Sequence, residues 1–159
     1  NAYCQDNEIS WIDWSLLKKN KELFEFFKFM IAYRKKHPVI RKKLDNAVCG
    51  MEGMHAHDVN ADRMEVSQNA KTLAVSFAGY DRKKCKDDLV YVAVNAYWEE
   101  VRITLPNLAN HGAWYLSVDT YGDEKGKYFY QEGEEIRIDR EYVMKPRSIV
   151  VFTGREILR

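Results

Sequence analysis

Short stretches in which apolar and polar residues alternate fill most of the chain after residue 50, and they constrain its fold more than any other feature. The strongest stretches are 72–80, 89–96, 101–105, 114–120, 136–138 and 148–153, and weaker ones are 49–58 and 128–131. Side chains of a strand point alternately to its two faces, so these stretches predict β-strands. Turn residues separate them and no helical pattern intervenes. This order predicts a mainly β fold, an antiparallel β-sandwich, rather than a parallel sheet.

One long α-helix is predicted before the strands, at about 20–37. Glu22 in its first turn and Lys35 and Lys36 in its last turn suit the helix dipole, and Pro38 ends it. Apolar side chains cover about 220° of its circumference, roughly twice the arc that a helix needs to cover one core. Such a helix is normally buried on two sides, and the rest of the chain offers no evident second surface.

The charge balance argues against several classes of partner. Lys plus Arg number 25 and Asp plus Glu number 24, so the net charge is +1. Because nucleic-acid binding relies on an excess of Lys and Arg facing phosphates, we expect no nucleic-acid partner. The basic runs 34–36 and 41–43 are interpreted as solvated positions near the end of the helix. No apolar run approaches the roughly 20 residues of a membrane span, so no membrane association is expected.

The three cysteines are Cys4, Cys49 and Cys85, an odd number with no CxxC pair. This usage indicates a reducing compartment rather than a disulfide scaffold, and the expected localisation is therefore the cytoplasm. The chain does not begin with Met, and we expect it to be a piece of something longer.

No metal or cofactor site is expected. His55 and His57 would share one strand face, but a zinc site needs three or four ligands and Asp58 points to the other face. The sequence contains no P-loop, no dinucleotide-binding glycine pattern and no Gly-x-Ser-x-Gly elbow. The chemistry of the chain must therefore be sought in its carboxylates and aromatic residues.

Two residue types are suited to acting on a sugar. Glycoside hydrolysis requires two carboxylates that flank the scissile bond. Asp6, Glu8 and Asp13 cluster on an irregular, aromatic-rich segment, although caps, turns and salt bridges are commoner roles for such residues. Exposed aromatic rings stack on the apolar faces of pyranose rings. Trp98, between two strands, could form an exposed hairpin tip, although packing is the commoner role for such a residue. Trp114 is expected in the core.

Positions 1–14 read Asn-Ala-Tyr-Cys-Gln-Asp-Asn-Glu-Ile-Ser-Trp-Ile-Asp-Trp. This string closely resembles a segment of bacterial glycogen-debranching enzymes of the isoamylase and pullulanase type, which belong to the α-amylase superfamily. Three further segments support the resemblance: 34–39 at the end of the helix, 88–99 with its Asn-Ala-Tyr-Trp-Glu turn, and 146–152. The resemblance thus covers essentially the whole chain.

The resemblance implies an architecture for each part of the chain. Residues 1–44 would be the loop after the eighth strand of a truncated (β/α)8 barrel together with its last helix. Residues 45–159 would be the C-terminal β-sandwich domain. The missing barrel would be the intramolecular partner of the helix, which accounts for its wide apolar arc.

The resemblance also implies an activity for the parent protein. The family hydrolyses α-1,6-glucosidic branch points in glycogen or limit dextrin with retention, using an Asp nucleophile, a Glu acid/base and a second Asp. All three lie on earlier barrel strands, and no residue of this chain matches a catalytic position. The chain alone is therefore predicted to be inactive.

Five residues of the first loop are the predicted substrate-binding residues: Asn1, Tyr3, Gln5, Asp6 and Asn7. Their amide, hydroxyl and carboxylate groups suit sugar hydroxyls, which both donate and accept hydrogen bonds. An equally weighted interpretation is that they only brace the loop by hydrogen bonds. The partner that they would contact is a branched α-glucan.

Trp11 and Trp14 are expected to pack the loop onto the helix. Two other functions stay open at this point. The chain could be a stand-alone carbohydrate-binding module with Tyr97 or Trp98 as its platform, or a protein-interaction domain that uses the apolar helix face. An unpartnered apolar face also predicts some self-association of this chain.

Overall fold

The computed structural model describes residues 3–61, 70–109 and 112–155. Two 3₁₀ turns, Trp14–Leu17 and Pro38–Ile40, flank the helix α1, Lys21–Lys36. The strands are β1 Met54–His57, β2 Thr72–Asp81, β3 Lys86–Asn95, β4 Val101–Thr104, β5 Ala113–Asp119, β6 Ile136–Ile138, β7 Glu141–Met144 and β8 Ser148–Arg155. None of the helices in these ranges is long and apolar enough to cross a membrane.

The strands form two antiparallel sheets. The larger sheet has the order β1-β2-β3-β8-β5-β6, and β4 pairs with β7 in a separate two-stranded sheet. At the centre, β3 pairs with β2 from Thr72↔Asn95 to Asp81↔Lys86 and with β8 on its other side. The predicted mainly antiparallel β fold with one preceding helix is therefore confirmed.

Two details of the predicted strands are wrong. The stretch 128–131 forms only a single bridge to β5, Val118↔Phe129, flanked by two backbone hydrogen bonds, from Asp119 N–H to the Tyr128 carbonyl and from Tyr130 N–H to the Ser117 carbonyl. The strand β7 follows a short, charged connection and was not predicted, since only four residues pair with β4 and they begin with a glutamate. The weak stretch 49–58 contains a strand, but only over the four residues of β1.

The larger sheet is buried on both faces, because a different layer covers each one. On one face the β4–β7 pair contributes Ile103 and Met144 to a core with Tyr91, Trp114 and Phe152. The other face is covered by α1 and the 3₁₀ turn that follows it. There the buried residues are Tyr33, Val39, Val90, Val118 and Val151.

A β-bulge in β5 lets this strand serve both cores. Leu116 pairs with Phe152, and Val118 pairs with the preceding residue of β8, so Ser117 is the extra residue. Leu116 consequently faces the β4–β7 side, whereas Val118 faces α1. Ser117 also lies on the helix side, where its hydroxyl is 2.8 Å from that of Thr153.

Helix α1 is fixed to the sheet at its C-terminal end. The Nδ1–H of His37 donates to Asp88 Oδ1 at 2.6 Å, and the other oxygen of that carboxylate accepts the Val39 N–H at 3.1 Å. One turn earlier, the Tyr33 hydroxyl lies 2.8 Å from the hydroxyl of Thr153. These contacts join the helix to β3 and β8 and align it across the sheet.

The opposite side of α1 is exposed. Leu23, Phe24, Phe27 and Ile31 each keep between 46% and 58% of their accessible surface. Among the residues that the structure describes, those of the sheet side alone cover the helix. Its wide apolar arc agrees with this geometry, since the arc contains both the covered and the exposed sides.

Candidate functional site

The loop before α1 holds the predicted substrate-binding residues, of which Asn1 lies outside the described residues. The loop side chains mainly contact one another. Gln5 Oε1 accepts from Asn7 Nδ2 at 3.0 Å, and Asn7 Oδ1 accepts the Ile9 N–H at 3.1 Å. Asp6 Oδ1 accepts the indole N–H of Trp11 at 2.6 Å. Three of the predicted residues are thus brought together in one hydrogen-bonded loop.

Backbone groups complete this loop. The Asn7 carbonyl accepts the N–H groups of Ser10 and Trp11 at 3.0 and 3.1 Å. Tyr3 and Cys4 adopt φ values of 44° and 60°, in the left-handed region that residues with a Cβ seldom occupy. Tyr3 also exposes 80% of its surface. The bonds match the interpretation that the residues brace the loop, and contact with a glucan stays a prediction.

The segment after the loop extends the exposed side of α1 into a continuous surface. We call it the apolar surface, and it consists of Ile12, Trp14, Leu16, Leu17, Leu23, Phe24 and Phe27, which line one shallow depression. Each of these side chains is at least 41% exposed. Trp14 therefore borders the helix as expected but, like Trp11, remains largely exposed, at 69% and 63% respectively.

The carboxylate of Asp13 has a structural role beside this surface. Its Oδ1 accepts both the backbone N–H and the hydroxyl of Ser15, at 2.9 and 2.6 Å. These hydrogen bonds lower the pKa of Asp13 below its usual value. Asp13 thereby caps the first 3₁₀ turn, as Asp commonly does at a helix start.

The two strand histidines share a face, as the alternation predicts, and their ring centroids are 4.9 Å apart. His57 is buried, and its Nδ1–H donates to the Ala61 carbonyl at 3.1 Å. Its Nε2 accepts from the Ser76 hydroxyl at 2.9 Å. His55 Nδ1 is 3.0 Å from a carboxylate oxygen of Glu52. Within the described ranges, no group of three or more His, Cys, Asp or Glu residues is placed to hold a metal ion.

We expect His57 to make the fold sensitive to mild acid. Burial, with a smaller contribution from the nearby His55, lowers the pKa of His57 below 6.5. The unfolded chain then binds the proton at a higher pH than the folded chain does, so stability falls as the pH drops below about 6.5. Urea denaturation at several pH values across this range should show the loss of stability in the unsubstituted chain and a smaller loss in His57→Gln. Equal pH dependence in the two proteins would contradict this assignment.

The tryptophans divide into buried and exposed groups. Trp114 is 1% exposed and belongs to the core, as predicted. Trp98 is 65% exposed, but it does not form a hairpin tip, because β3 and β4 belong to different sheets. The connection that carries Trp98 instead crosses from the larger sheet to the smaller one.

Sequence reasoning missed the buried pair of His37 and Asp88. Asp88 lies in a strand whose later residues are apolar, and His37 directly precedes a proline that ends a helix. A carboxylate on the same strand face as the buried Val90 and the partly buried Val92 was the available signal, because buried charges require partners. The pairing itself depends on where the helix crosses the sheet.

Comparisons with known proteins relate this fold to glycogen enzymes. Residues 42–153 match the family described as isoamylase, C-terminal. The isoamylase of Pseudomonas amyloderamosa is 26% identical over 120 residues, which are 76% of this chain and 15% of that protein. The glycogen operon protein GlgX homolog of Mycobacterium tuberculosis is 49% identical over 43 residues, 27% of this chain and 6% of that protein. Its Haemophilus influenzae counterpart is 60% identical over 35 residues, 22% of this chain and 5% of that protein.

The matched region identifies which part of the chain carries the family pattern. It contains β1 to β7 and most of β8, and therefore both sheets. The aligned stretches span no more than 15% of the length of these relatives. The resemblance to the C-terminal part of a glycogen-debranching enzyme is confirmed, and the chain belongs to the isoamylase C-terminal family.

Proposed function

We propose that this chain is the C-terminal part of a glycoside hydrolase that cleaves α-1,6-glucosidic branch linkages in glycogen and limit dextrin. The match of residues 42–153 to the isoamylase C-terminal family carries the proposal. The relatives, an isoamylase and glycogen operon proteins, support the same substrate class. In this proposal residues 1–44 are the last loop and helix of a (β/α)8 barrel, and 45–159 form the sandwich domain.

The catalytic groups of the proposed enzyme belong to the barrel. A retaining glycosidase needs two carboxyl groups about 5–5.5 Å apart, one as nucleophile and one as acid and base. In barrel enzymes such groups lie at the C-terminal ends of the barrel strands. The candidate carboxylates of this chain have local partners instead, since Asp6 accepts from Trp11 and Asp13 from Ser15. These local partners support the proposal that this part of the enzyme is non-catalytic.

The first loop would supply substrate contacts. In barrel enzymes the loops that follow the strands line the active site. The hydrogen bonds among Gln5, Asp6 and Asn7 give this loop a defined shape, so a glucan could meet preset polar groups. Asn1 and Tyr3 complete the proposed set of contacts with a branched α-glucan.

The apolar surface would pack against the barrel. Its seven residues are exposed in this chain, and leaving a large apolar side chain in water forgoes about 1.5–3 kcal/mol of burial. α1 would then lie between two layers, with the sandwich on one side and the barrel on the other. The free thiols of Cys4, Cys49 and Cys85 support a reducing compartment, and we place the enzyme in the cytoplasm.

A debranching assay of the full-length protein tests the proposed function. New reducing ends should appear from glycogen phosphorylase limit dextrin, and the products should be linear maltooligosaccharides. A linear maltooligosaccharide of matched length is the control substrate and should not be cleaved. The isolated 159-residue chain should be inactive on both. A full-length protein that releases nothing from the branched substrate would overturn the proposal.

We expect the isolated chain to self-associate through the apolar surface, because no part of the chain that the structure describes covers it. Phe27→Asp should raise the dissociation constant of the self-associated form at least about tenfold, since burial of one Phe contributes about 1.5–3 kcal/mol. Sedimentation equilibrium measures this change. Lys28→Asp adds an acidic residue at the adjacent exposed position and should have little effect. A strictly monomeric parent chain at the highest attainable concentration would contradict the expectation.

A further inference from the structure

A pair of aromatic rings, the half-buried Tyr97 and the exposed Trp98, lies on the crossover between the two sheets, away from the first loop in sequence. The rings of Tyr97 and Trp98 have centroids 4.2 Å apart and planes inclined by 41°. Trp98 keeps 65% of its accessible surface. The ammonium group of Lys71 lies 3.7 Å from the centroid of the Tyr97 ring and 5.8 Å from that of Trp98. We call these three residues the aromatic platform.

A buried asparagine fixes the backbone that carries the platform. Asn95 is 1% exposed, and its amide group donates to the carbonyls of Glu99 and Lys145 at 2.9 and 3.0 Å. Its side-chain oxygen accepts the N–H of Tyr97 at 3.0 Å. The Tyr97 carbonyl in turn accepts the N–H of Arg147 at 3.0 Å. Hydrogen bonds to β3 and to the turn before β8 therefore fix the backbone that carries the two rings. This order in the free protein reduces the entropic cost of binding.

Charges of both signs surround the platform. Lys145 forms an ion pair with Glu100, and the neighbouring turn residues are Glu99 and Arg147. A polyanion would meet the two carboxylates, and a polycation would meet Lys145, Arg147 and Lys71. A neutral ligand with many hydroxyl groups suits this surface best, because carboxylates accept and ammonium groups donate hydrogen bonds.

We infer that the aromatic platform is an accessory binding site for a linear segment of α-glucan, in which a glucose ring stacks on Trp98. The inference rests on the proposed function, because that function supplies the neutral polysaccharide. Glucose rings present apolar C–H faces, and the exposed indole offers a flat apolar surface of similar size. The site holds the polymer and performs no chemistry on it.

The test measures binding of maltoheptaose to the full-length protein by isothermal titration calorimetry, and retardation of the protein in glycogen-containing native gels. Trp98→Ala should reduce the retardation of the protein by glycogen. It should also raise the dissociation constant of maltoheptaose at this site by roughly tenfold or more. Trp98→Phe keeps an aromatic face and should retain most of the binding. Ile136→Ala, a truncation of another exposed apolar residue on the edge strand β6, should bind like the parent protein.

Two results would overturn the inference. One is that gel retardation and maltoheptaose binding are unchanged in Trp98→Ala and also in Trp98→Gln, a second variant that lacks the indole ring. The other is a change in oligomeric state on truncation of Trp98 without glucan, which would make the platform a protein contact. Failure of the proposed function is distinct, since it appears as an absence of debranching in the parent protein while Trp98-dependent binding persists.

Discussion

Replacing Asp88 by alanine is expected to lower the free energy of unfolding by about 3–5 kcal/mol, because it breaks a buried polar pair from one side. Asp88 is 5% exposed and accepts two hydrogen bonds, one from His37 and one from the backbone of Val39. Without the carboxylate, both donors remain buried. The second nitrogen of His37 cannot compensate, since it too is buried and has no hydrogen-bond partner among the described residues.

Urea denaturation of Asp88→Ala measures this effect, and Asp139→Ala is the matched control. The Asp139 side chain is 93% exposed, so its removal should change stability by no more than about 0.5 kcal/mol. A loss below about 1 kcal/mol in Asp88→Ala would contradict the account. It would mean that apolar packing alone fixes the C-terminal end of α1 to the sheet.

Truncation of Trp114 to alanine should cost about 3–5 kcal/mol, the range for large aromatic residues in a core. Its indole is buried between the two sheets, and its N–H donates to the Pro106 carbonyl at 2.7 Å. The packing around it is close. A Cβ added to Gly154 would lie 3.1 Å from the indole ring and 2.8 Å from the Leu89 Cβ. Because the residues around Trp114 are in close contact with one another, we expect them to fill little of the cavity that Trp114→Ala leaves.

The same substitution at an exposed position provides the control for Trp114. Trp98→Ala removes an identical side chain that is 65% exposed, and it should change stability by no more than about 0.5 kcal/mol. Chemical denaturation of the two variants compares the free energy lost when the same side chain is removed from a buried and from an exposed position. Equal losses in both would contradict the assignment of Trp114 to the core, and would also weaken the use of Trp98→Ala in binding experiments.

Much of the fold is predictable from local patterns. The β3 strand was evident because Leu89, Tyr91 and Ala93 face one core while Val90 and Val92 face the other. A strand buried on both faces appears as a nearly continuous apolar run. The helix bounds were also within one residue of the prediction, since a proline follows α1 and charged residues mark its ends.

The features that could not be predicted depend on contacts between distant parts of the chain. The bulge at Ser117 changes which side of β5 faces which core, and only the register with β8 defines it. The short strand β7 is a strand because β4 lies beside it. The pair of His37 and Asp88 forms because of the angle at which α1 crosses the sheet.

Less of the candidate site than of the fold could be predicted from local sequence patterns. The loop residues Gln5, Asp6 and Asn7 were identified from a resemblance, and the structure places them in one hydrogen-bonded loop. Composition alone gives no such result, because amides and carboxylates are common in any loop. For Trp98, the turn around it left both an exposed and a packing role open, and packing is the commoner role; the structure leaves the side chain 65% exposed. The support from Asn95 could not be predicted, since it links β3 to the turn before β8.

The size of the native polypeptide tests the central claim most directly. An antibody against residues 45–155 would precipitate the protein from source cells, and its mass would be measured. Membership of a debranching hydrolase predicts a mass far above 18.7 kDa, because a (β/α)8 barrel alone adds about 250 residues. A native polypeptide of about 18.7 kDa would contradict the claim and leave a free-standing β-sandwich with no barrel to carry out hydrolysis.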